Sequence, residues 1–230
     1  MDAVAVDLGI VMLALAMAIA LQPWRALGSS GPPWPWVIAW ALLPLLWSLD
    51  RQLGVAALPL LSGAALLVLM TGWPLAVLAC VPMAIVAAVC GPLDVAQALH
   101  RAVWLGIVPA TAALALGTAA RRWLPHHVAV YVMGRGFFGT GVAMLASGLG
   151  GAGIAHVPGA DAWVAQGLLA LAEASITGGL VAAMVAQRPA WLATYSDRLY
   201  LAPADAAPEQ ARRTTTAGAR YARTSPPDAP

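Results

Sequence analysis

Two ionisable residues lie inside long uncharged stretches of this sequence, where they could do chemistry. Arg135 lies in VYVMGRGFFGTG (130–141), and Glu173 lies in the apolar run 162–187. A charge at the centre of a bilayer costs about 2.5–3.5 kcal/mol on insertion scales, so each residue is a candidate for a functional role. Their depths, counted from the helix ends, differ by about 9 Å at the helical rise per residue. We expect Glu173 to be the counter-ion of Arg135, either as a structural ion pair or as a substrate or coupling site.

Three other residues are weak candidates for metal ligands: His100, His156 and Asp161. A metal site requires several N, O or S ligands that converge. These three side chains could meet at one end of the bundle, although no spacing in the sequence requires it, and the alternative is that they are ordinary interfacial residues. The sequence contains no Ser/His/Asp set and no glutamate–histidine helix motif, so we expect that the chain is not an enzyme.

The elements that must position these residues are apolar helices. The chain is 61% hydrophobic and 10% charged, whereas a soluble domain carries about 25% charged residues. This composition excludes an ordinary soluble domain and predicts an all-α fold, a polytopic bundle of transmembrane helices. No basic face with interleaved aromatic residues is present, so we expect no nucleic-acid partner.

Apolar periodicity predicts about seven helical segments. The second and third are short and contain Pro44 and Pro59, so we expect them to be tilted, broken or not fully spanning. The small-residue stretch 148–161 predicts a loop between the last two segments. The predicted segments are 7–22, 35–49, 54–71, 73–90, 98–119, 127–148 and 162–187.

The arginines predict the orientation of the bundle, because cytoplasmic loops are enriched in basic residues. With the C-terminus inside, most arginines lie on the inner side, and seven crossings then place the N-terminus outside. Residues 1–201 form the transmembrane domain, and residues 202–230 lack an apolar period and are predicted to be a disordered cytoplasmic tail. The segment 187–201 is predicted to lie at the inner membrane surface, either as a simple anchor or as a contact for a cytoplasmic partner through Arg188, Trp191, Tyr195 and Arg198.

Three blocks of the sequence resemble a bacterial membrane family. They are TGWPLAVLA (71–79), RRWLPHHVAVYVMGRGFFG (121–139) and EASITGGLVAAMVAQRPAWLATYSDRLYL (173–201). The family is that of the energy-coupling-factor (ECF) transporter permeases of the cobalt/nickel CbiM type, and the chain is most similar to a divergent proteobacterial branch. The resemblance implies seven helices, an outside N-terminus and a location in the bacterial inner membrane. It also implies a substrate-binding subunit for a transition-metal cation, which works with a transmembrane coupling protein and cytosolic ATPase subunits.

The chain departs from this family at its metal ligands. Metal-capturing members begin with Met-His and carry a histidine before the glycine-tryptophan turn, whereas this chain has Asp2 and Leu60 at those places. The family's metal site is therefore not carried over. The function expected from the sequence is a membrane permease or substrate-binding subunit without a cofactor of its own, since ATP would be used by its partners. The alternative is a membrane assembly or regulatory protein that retains the fold and does not transport.

Overall fold

In a computed structural model, the chain is a bundle of helices. The structure describes residues 3–25, 34–54, 60–155, 160–196 and 200, and no strand occurs among them. Five of the described helices are long and apolar enough to cross a membrane. Many of their large side chains point away from the bundle, for example Leu13 and Val164, which are both 64% exposed. Apolar side chains on the outside of an apolar bundle are typical of helices that face lipid.

The first half of the chain combines long helices with short ones. Gly54 ends a short helix in the left-handed conformation that suits glycine. Gly72 separates two helices, and Pro74 occupies the first turn of the second, where a missing N–H costs nothing. The helices are α1 (Ala3–Ala20), α2 (Trp34–Trp47), α3 (Leu49–Leu53), α4 (Ala64–Thr71) and α5 (Trp73–Cys90).

In the second half, two helical rods each contain a π-helical segment. Asp94 caps the first rod by accepting a 2.7 Å hydrogen bond from the backbone amide of Gln97. The first rod consists of α6 (Val95–Arg101), a π-helical segment (Ala102–Ile107) and α7 (Val108–Trp123). The second consists of α8 (Val128–Val130), a π-helical segment (Tyr131–Phe138) and α9 (Gly139–Ala155). The long helix α10 (Ala160–Gln187) follows, and a short 3-10 helix (Pro189–Trp191) comes after it.

The helices pack so that two ends of the bundle can be distinguished. The side chains of Asp7 and His100 meet at one end, which we call the His100 end. The rings of Trp34 and Trp191 meet at the other, which we call the Trp191 end. The main core lies between α1, α2, α5 and the first rod, and the second rod packs on α7 and α10.

The structure changes two of the predicted elements. In the segment 54–71, α4 begins only at Ala64, because residues 60–63 are not helical; residues 55–59 lie outside the described residues. Of the three alternatives that the sequence left for this segment (tilted, broken or not fully spanning), the described residues show a break. The predicted loop 148–161 was wrong over much of its length, since α9 continues to Ala155. Gly150 and Gly151 lie against the ring of Trp104, so these glycines let helices approach closely rather than forming a turn. The predicted tail, 202–230, lies outside the described residues.

Candidate functional site

The carboxylate of Glu173 is buried in the bundle and binds two backbone amides. It is 3% exposed. Its Oε2 accepts a hydrogen bond from the Ser62 amide at 2.6 Å, and its Oε1 accepts one from the Gly63 amide at 2.8 Å. These amides immediately precede α4, at the positive end of the helix dipole. The acid on α10 therefore provides the negative charge that the N-terminus of α4 favours.

The non-helical segment 60–63 is fixed by further hydrogen bonds. The carbonyl of Ser62 accepts a 3.0 Å bond from Trp47 Nε1, and the hydroxyl of Ser62 donates a 2.6 Å bond to the carbonyl of Leu105. Gly63 has a φ of +68° and lies directly against the side chain of Leu43, where a Cβ would overlap it. Non-helical backbone at membrane depth is tolerated only where protein or water satisfies it. Here Glu173 accepts from the amides of Ser62 and Gly63, and Trp47 donates to the carbonyl of Ser62. The first turn of α4 donates to the carbonyl of Gly63, so these backbone groups have partners.

Neighbouring residues of this segment line two different cavities. Leu60 lines a pocket of about 260 Å³, which we call the His100 pocket. Leu61 and Gly63 line a groove of about 550 Å³ that also contains Glu173 and reaches Trp191, and we call it the Glu173 groove. The groove is almost entirely apolar and runs between α2 and α10. One short stretch of backbone thus contributes to two spaces, whose other lining residues lie toward different ends of the bundle.

Three side chains of the His100 pocket, those of His100, Arg101 and Trp104, form hydrogen bonds with acidic residues. Asp7, which is 2% exposed, contacts His100 Nδ1 through Oδ2 at 2.9 Å and accepts a 3.0 Å bond from Trp104 Nε1 through Oδ1. Arg101 makes a bidentate contact with Asp50 at 2.6 and 2.8 Å. Burial disfavours the charged form of Asp50, but the hydrogen bonds and positive charge of Arg101 outweigh this effect and lower the pKa of Asp50. Asp7 thereby links α1 to the first rod, and Asp50 links α3 to the same rod.

Arg135 does not reach Glu173, so the predicted ion pair is not formed. The guanidinium of Arg135 lies toward the Trp191 end, where Nη1 donates a 3.4 Å hydrogen bond to the carbonyl of Thr194. Its central carbon lies 5.3 Å from the centre of the Tyr131 ring. The carboxylate of Glu173 is occupied by the amides at the start of α4, which lie deeper in the bundle. The difference in depth estimated from the sequence is the physical reason that the two charges remain apart.

The predicted metal ligands are not brought together among the described residues. His100 contacts Asp7, Asp161 is exposed at the start of α10, and His156 lies outside the described residues. Within the part of the chain that the structure describes, no group of three His, Cys, Asp or Glu side chains could hold a metal ion. The structure thus gives His100 an acidic partner, Asp7, that the sequence analysis did not single out.

The segment after α10 packs against the end of α4. The backbone amide of Thr194 donates to the carbonyl of Leu69, and the Thr194 hydroxyl contacts the Tyr131 hydroxyl at 2.8 Å. Tyr195 packs against Tyr131 with ring centres 5.0 Å apart. Of the predicted partner surface, Trp191 packs on Trp34, Arg188 is exposed, and Arg198 lies outside the described residues. Much of this segment is therefore engaged within the chain.

Sequence reasoning missed four residues that build the site: Asp7, Asp50, Ser62 and Gly63. Asp7 had a usable signal, since it is an acid within an otherwise apolar helix. Ser62 and Gly63 had only a weak signal, because a serine-glycine pair is common in turns of every kind.

In comparisons with protein-family models, curated proteins and solved structures, nothing matched this chain. Its function is therefore argued from the geometry of the site and from the sequence blocks given above.

Proposed function

We propose that this chain is the substrate-binding permease subunit of an energy-coupling-factor-type transporter. We further propose that residues 60–63 form the barrier between two access routes. The observation that supports transport is that neighbouring residues of one non-helical segment line different cavities. Leu60 lines the His100 pocket, and Leu61 lines the Glu173 groove. A protein that served only as an assembly factor would not need two cavities that meet at a broken helix.

The barrier has the chemical features of a gate. Secondary transporters commonly bind substrate near the bilayer midplane, where discontinuous helices present backbone groups and helix termini. Here α4 begins inside the bundle, and the Glu173 carboxylate holds the two amides that precede it. Loss of these two hydrogen bonds would release the segment from α10, while Gly63 can absorb the accompanying change of backbone angles. Glu173 is therefore the residue proposed to couple the barrier to α10.

The orientation and partners of the transporter follow from the sequence. The distribution of arginines favours an outside N-terminus and a cytoplasmic C-terminus in the bacterial inner membrane. The His100 pocket then opens to the outside and collects substrate. ATP hydrolysis would be carried out by cytosolic ATPase subunits, which act through a transmembrane coupling protein. The resemblance implies a transition-metal cation of the cobalt/nickel type, and His100, which lines the pocket and contacts Asp7, would supply a nitrogen ligand.

Cysteine accessibility tests the barrier directly. In a background with Cys80→Ala and Cys90→Ser, Leu60→Cys and Leu61→Cys are labelled in vesicles with a membrane-impermeant maleimide. Leu60→Cys is expected to react from the outer face and Leu61→Cys only from the inner face. Val95→Cys and Trp123→Cys are the controls for the two faces, since Val95 is 85% and Trp123 77% exposed at opposite ends of one rod. Reaction of both barrier positions from the same side contradicts the proposal.

Purification of the tagged protein from native membranes tests the partners. Recovery of an ATPase and a second membrane subunit supports an active transporter, and uptake of radiolabelled cobalt or nickel then tests the substrate class. Recovery of an unrelated membrane complex without an ATPase contradicts the transport proposal. That result favours the alternative, an assembly or regulatory protein with the same fold.

A further inference from the structure

The Glu173 groove lies between α2 and α10, which both pack on the short helix α4. Each wall of the groove is one stripe of its helix, because the lining residues recur every three or four positions. On α2 they run from Trp34 to Leu46, and on α10 they run from Glu173 to Gln187. At the helical rise per residue, the two walls are about 18 and 21 Å long.

The groove opens sideways, toward the outside of the bundle. Ile38 and Leu42 on one wall and Ile176 and Leu180 on the other are all exposed. Among the described lining residues the only charged one is Glu173, and both of its carboxylate oxygens already accept hydrogen bonds. The walls therefore offer water few partners, and an apolar ligand suits the space better than water does.

The width of the groove distinguishes a lipid chain from a protein helix. A volume of about 550 Å³, spread over a length of about 20 Å, gives an average cross-section of about 27 Å². A hydrocarbon chain at van der Waals contact is about 4–5 Å wide, so its cross-section is about 15–20 Å². An α-helix with its side chains is about 10–12 Å wide, so its cross-section is about 80–110 Å². One acyl chain therefore fits into the groove, whereas a helix does not.

The length of the groove corresponds to one leaflet of a bilayer. Trp34 and Trp191 line one end, and tryptophan is enriched at membrane–water interfaces. Gly63 and Glu173 line the other end, near the middle of α10. A length of about 20 Å is close to half of a hydrocarbon core of about 30 Å plus part of the headgroup region. A lipid chain in the groove would thus have its headgroup at the Trp191 end.

A basic residue lies where this headgroup would be. The backbone amide of Arg188 donates to the carbonyl of Met184, and its carbonyl accepts a 3.0 Å hydrogen bond from the amide of Trp191. Both of these neighbours line the groove. The Arg188 side chain is exposed and forms no ion pair with a carboxylate among the described residues. A guanidinium group at this position suits the phosphate of an anionic lipid.

We propose that the Glu173 groove binds one acyl chain of an anionic phospholipid from the leaflet at the Trp191 end, with the lipid phosphate at Arg188. The bound chain fills the space between α2 and α10 and joins the two helices through apolar contacts. It would have to leave before a solute enters the groove, so lipid and solute compete for this space. The inference does not depend on the proposed transport, because lipid binding is measured without a transported substrate.

Native mass spectrometry of the purified full-length protein tests the site, with dioleoyl phosphatidylglycerol and dioleoyl phosphatidylcholine as the added lipids. Wild type is expected to retain one phosphatidylglycerol per chain. It should bind phosphatidylcholine about fivefold more weakly, the factor expected for one basic residue near a membrane surface. Ala183→Phe, which places a ring in the groove, should abolish retention. Ala182→Phe is the matched control, because Ala182 is exposed on the same helix but does not line the groove.

The preference for the anionic lipid has its own pair of variants. Arg188→Gln should bind the two lipids equally. Arg122→Gln changes another exposed arginine at the same end and should keep the preference of wild type.

A photoreactive residue tests the occupant in native membranes. Benzoylphenylalanine in place of Leu180 is expected to gain the mass of one phospholipid on illumination. A crosslink to a second copy of this chain or to another protein would assign the groove to a partner helix and overturn the proposal. The proposal also fails if wild type retains no lipid, if Ala183→Phe retains as much as wild type, or if wild type binds the two lipids equally.

Discussion

Glu173 and Gly63 are joined by a 2.8 Å hydrogen bond across 110 residues of sequence. The bond links the middle of α10 to the backbone that immediately precedes α4. The backbone amide of Ser62 donates a second hydrogen bond to the same carboxylate, at 2.6 Å. Because each carboxylate oxygen accepts one amide, the acid is matched to its site by geometry as well as by charge.

Replacing Glu173 by Gln is expected to destabilise the protein. The amide group of Gln turns one acceptor into a donor that faces a backbone N–H, so one buried amide loses its partner at a cost of about 1–3 kcal/mol. The measurement is the midpoint of thermal unfolding in detergent, together with substrate uptake. Ser175→Ala, which changes an exposed residue of the same helix, is the control and should leave both unchanged. An unaltered midpoint in Glu173→Gln would show that the two hydrogen bonds of the Glu173 carboxylate do not contribute to stability.

Gly63→Ala should lower the stability of the protein more than an alanine substitution at another glycine does. The residue at position 63 has a φ of +68°, where a side chain is strained by about 1–3 kcal/mol, and its Cβ would also overlap Leu43. The control is Gly179→Ala on α10, where a Cβ meets nothing within 4 Å. Combining Gly63→Ala with Leu43→Ala separates the two causes, because it relieves the overlap and leaves the backbone strain. If both glycine variants unfold alike, the special conformation at position 63 is not needed.

The contact between Asp50 and Arg101 predicts a pH-dependent contribution to stability. The pKa of Asp50 is lowered in the folded protein, so the contribution is fully present above the unfolded pKa, near 4, and is lost as the pH falls through the folded pKa. Wild type should therefore unfold at a higher temperature than Asp50→Asn at pH 6, and the difference should shrink as the pH is lowered below 4. Asp161→Asn, at an exposed acid, should show no such trend. A difference that is constant with pH would contradict the proposed origin of the stabilisation.

Thr194→Val tests whether the segment after α10 is bound to the bundle. The change removes the hydroxyl contacts to Tyr131 and to the Leu69 carbonyl and leaves the buried Tyr131 hydroxyl without this partner. We expect a loss of about 1–2 kcal/mol in stability and faster amide hydrogen exchange at residues 192–196. Thr118→Val is the matched control, because the Thr118 hydroxyl is exposed and bonds only to the nearby Ala115 carbonyl. Equal exchange in both variants would indicate that the segment is held by its aromatic rings alone.

The sequence by itself determined the class of the fold and the approximate positions of its long helices, because runs of apolar residues can be satisfied in a bilayer only by helices. It also identified Arg135 and Glu173, since charge within an apolar run is visible without a structure. It misread 148–161 as a loop, because glycines that break a helix and glycines that let helices pack closely look alike in one dimension.

The tertiary structure decided which groups compensate these charges. Glu173 binds the amides of Ser62 and Gly63, whereas Arg135 lies nearer the Trp191 end beside Gly117 and Tyr200. The sequence does not show which backbone amides will bind a carboxylate. It also does not show which glycine of a neighbouring helix will leave room for an arginine. The partners of a buried charge depend on which helix faces meet and at what depth, and this is fixed by the packing of the whole bundle rather than by the order of its residues.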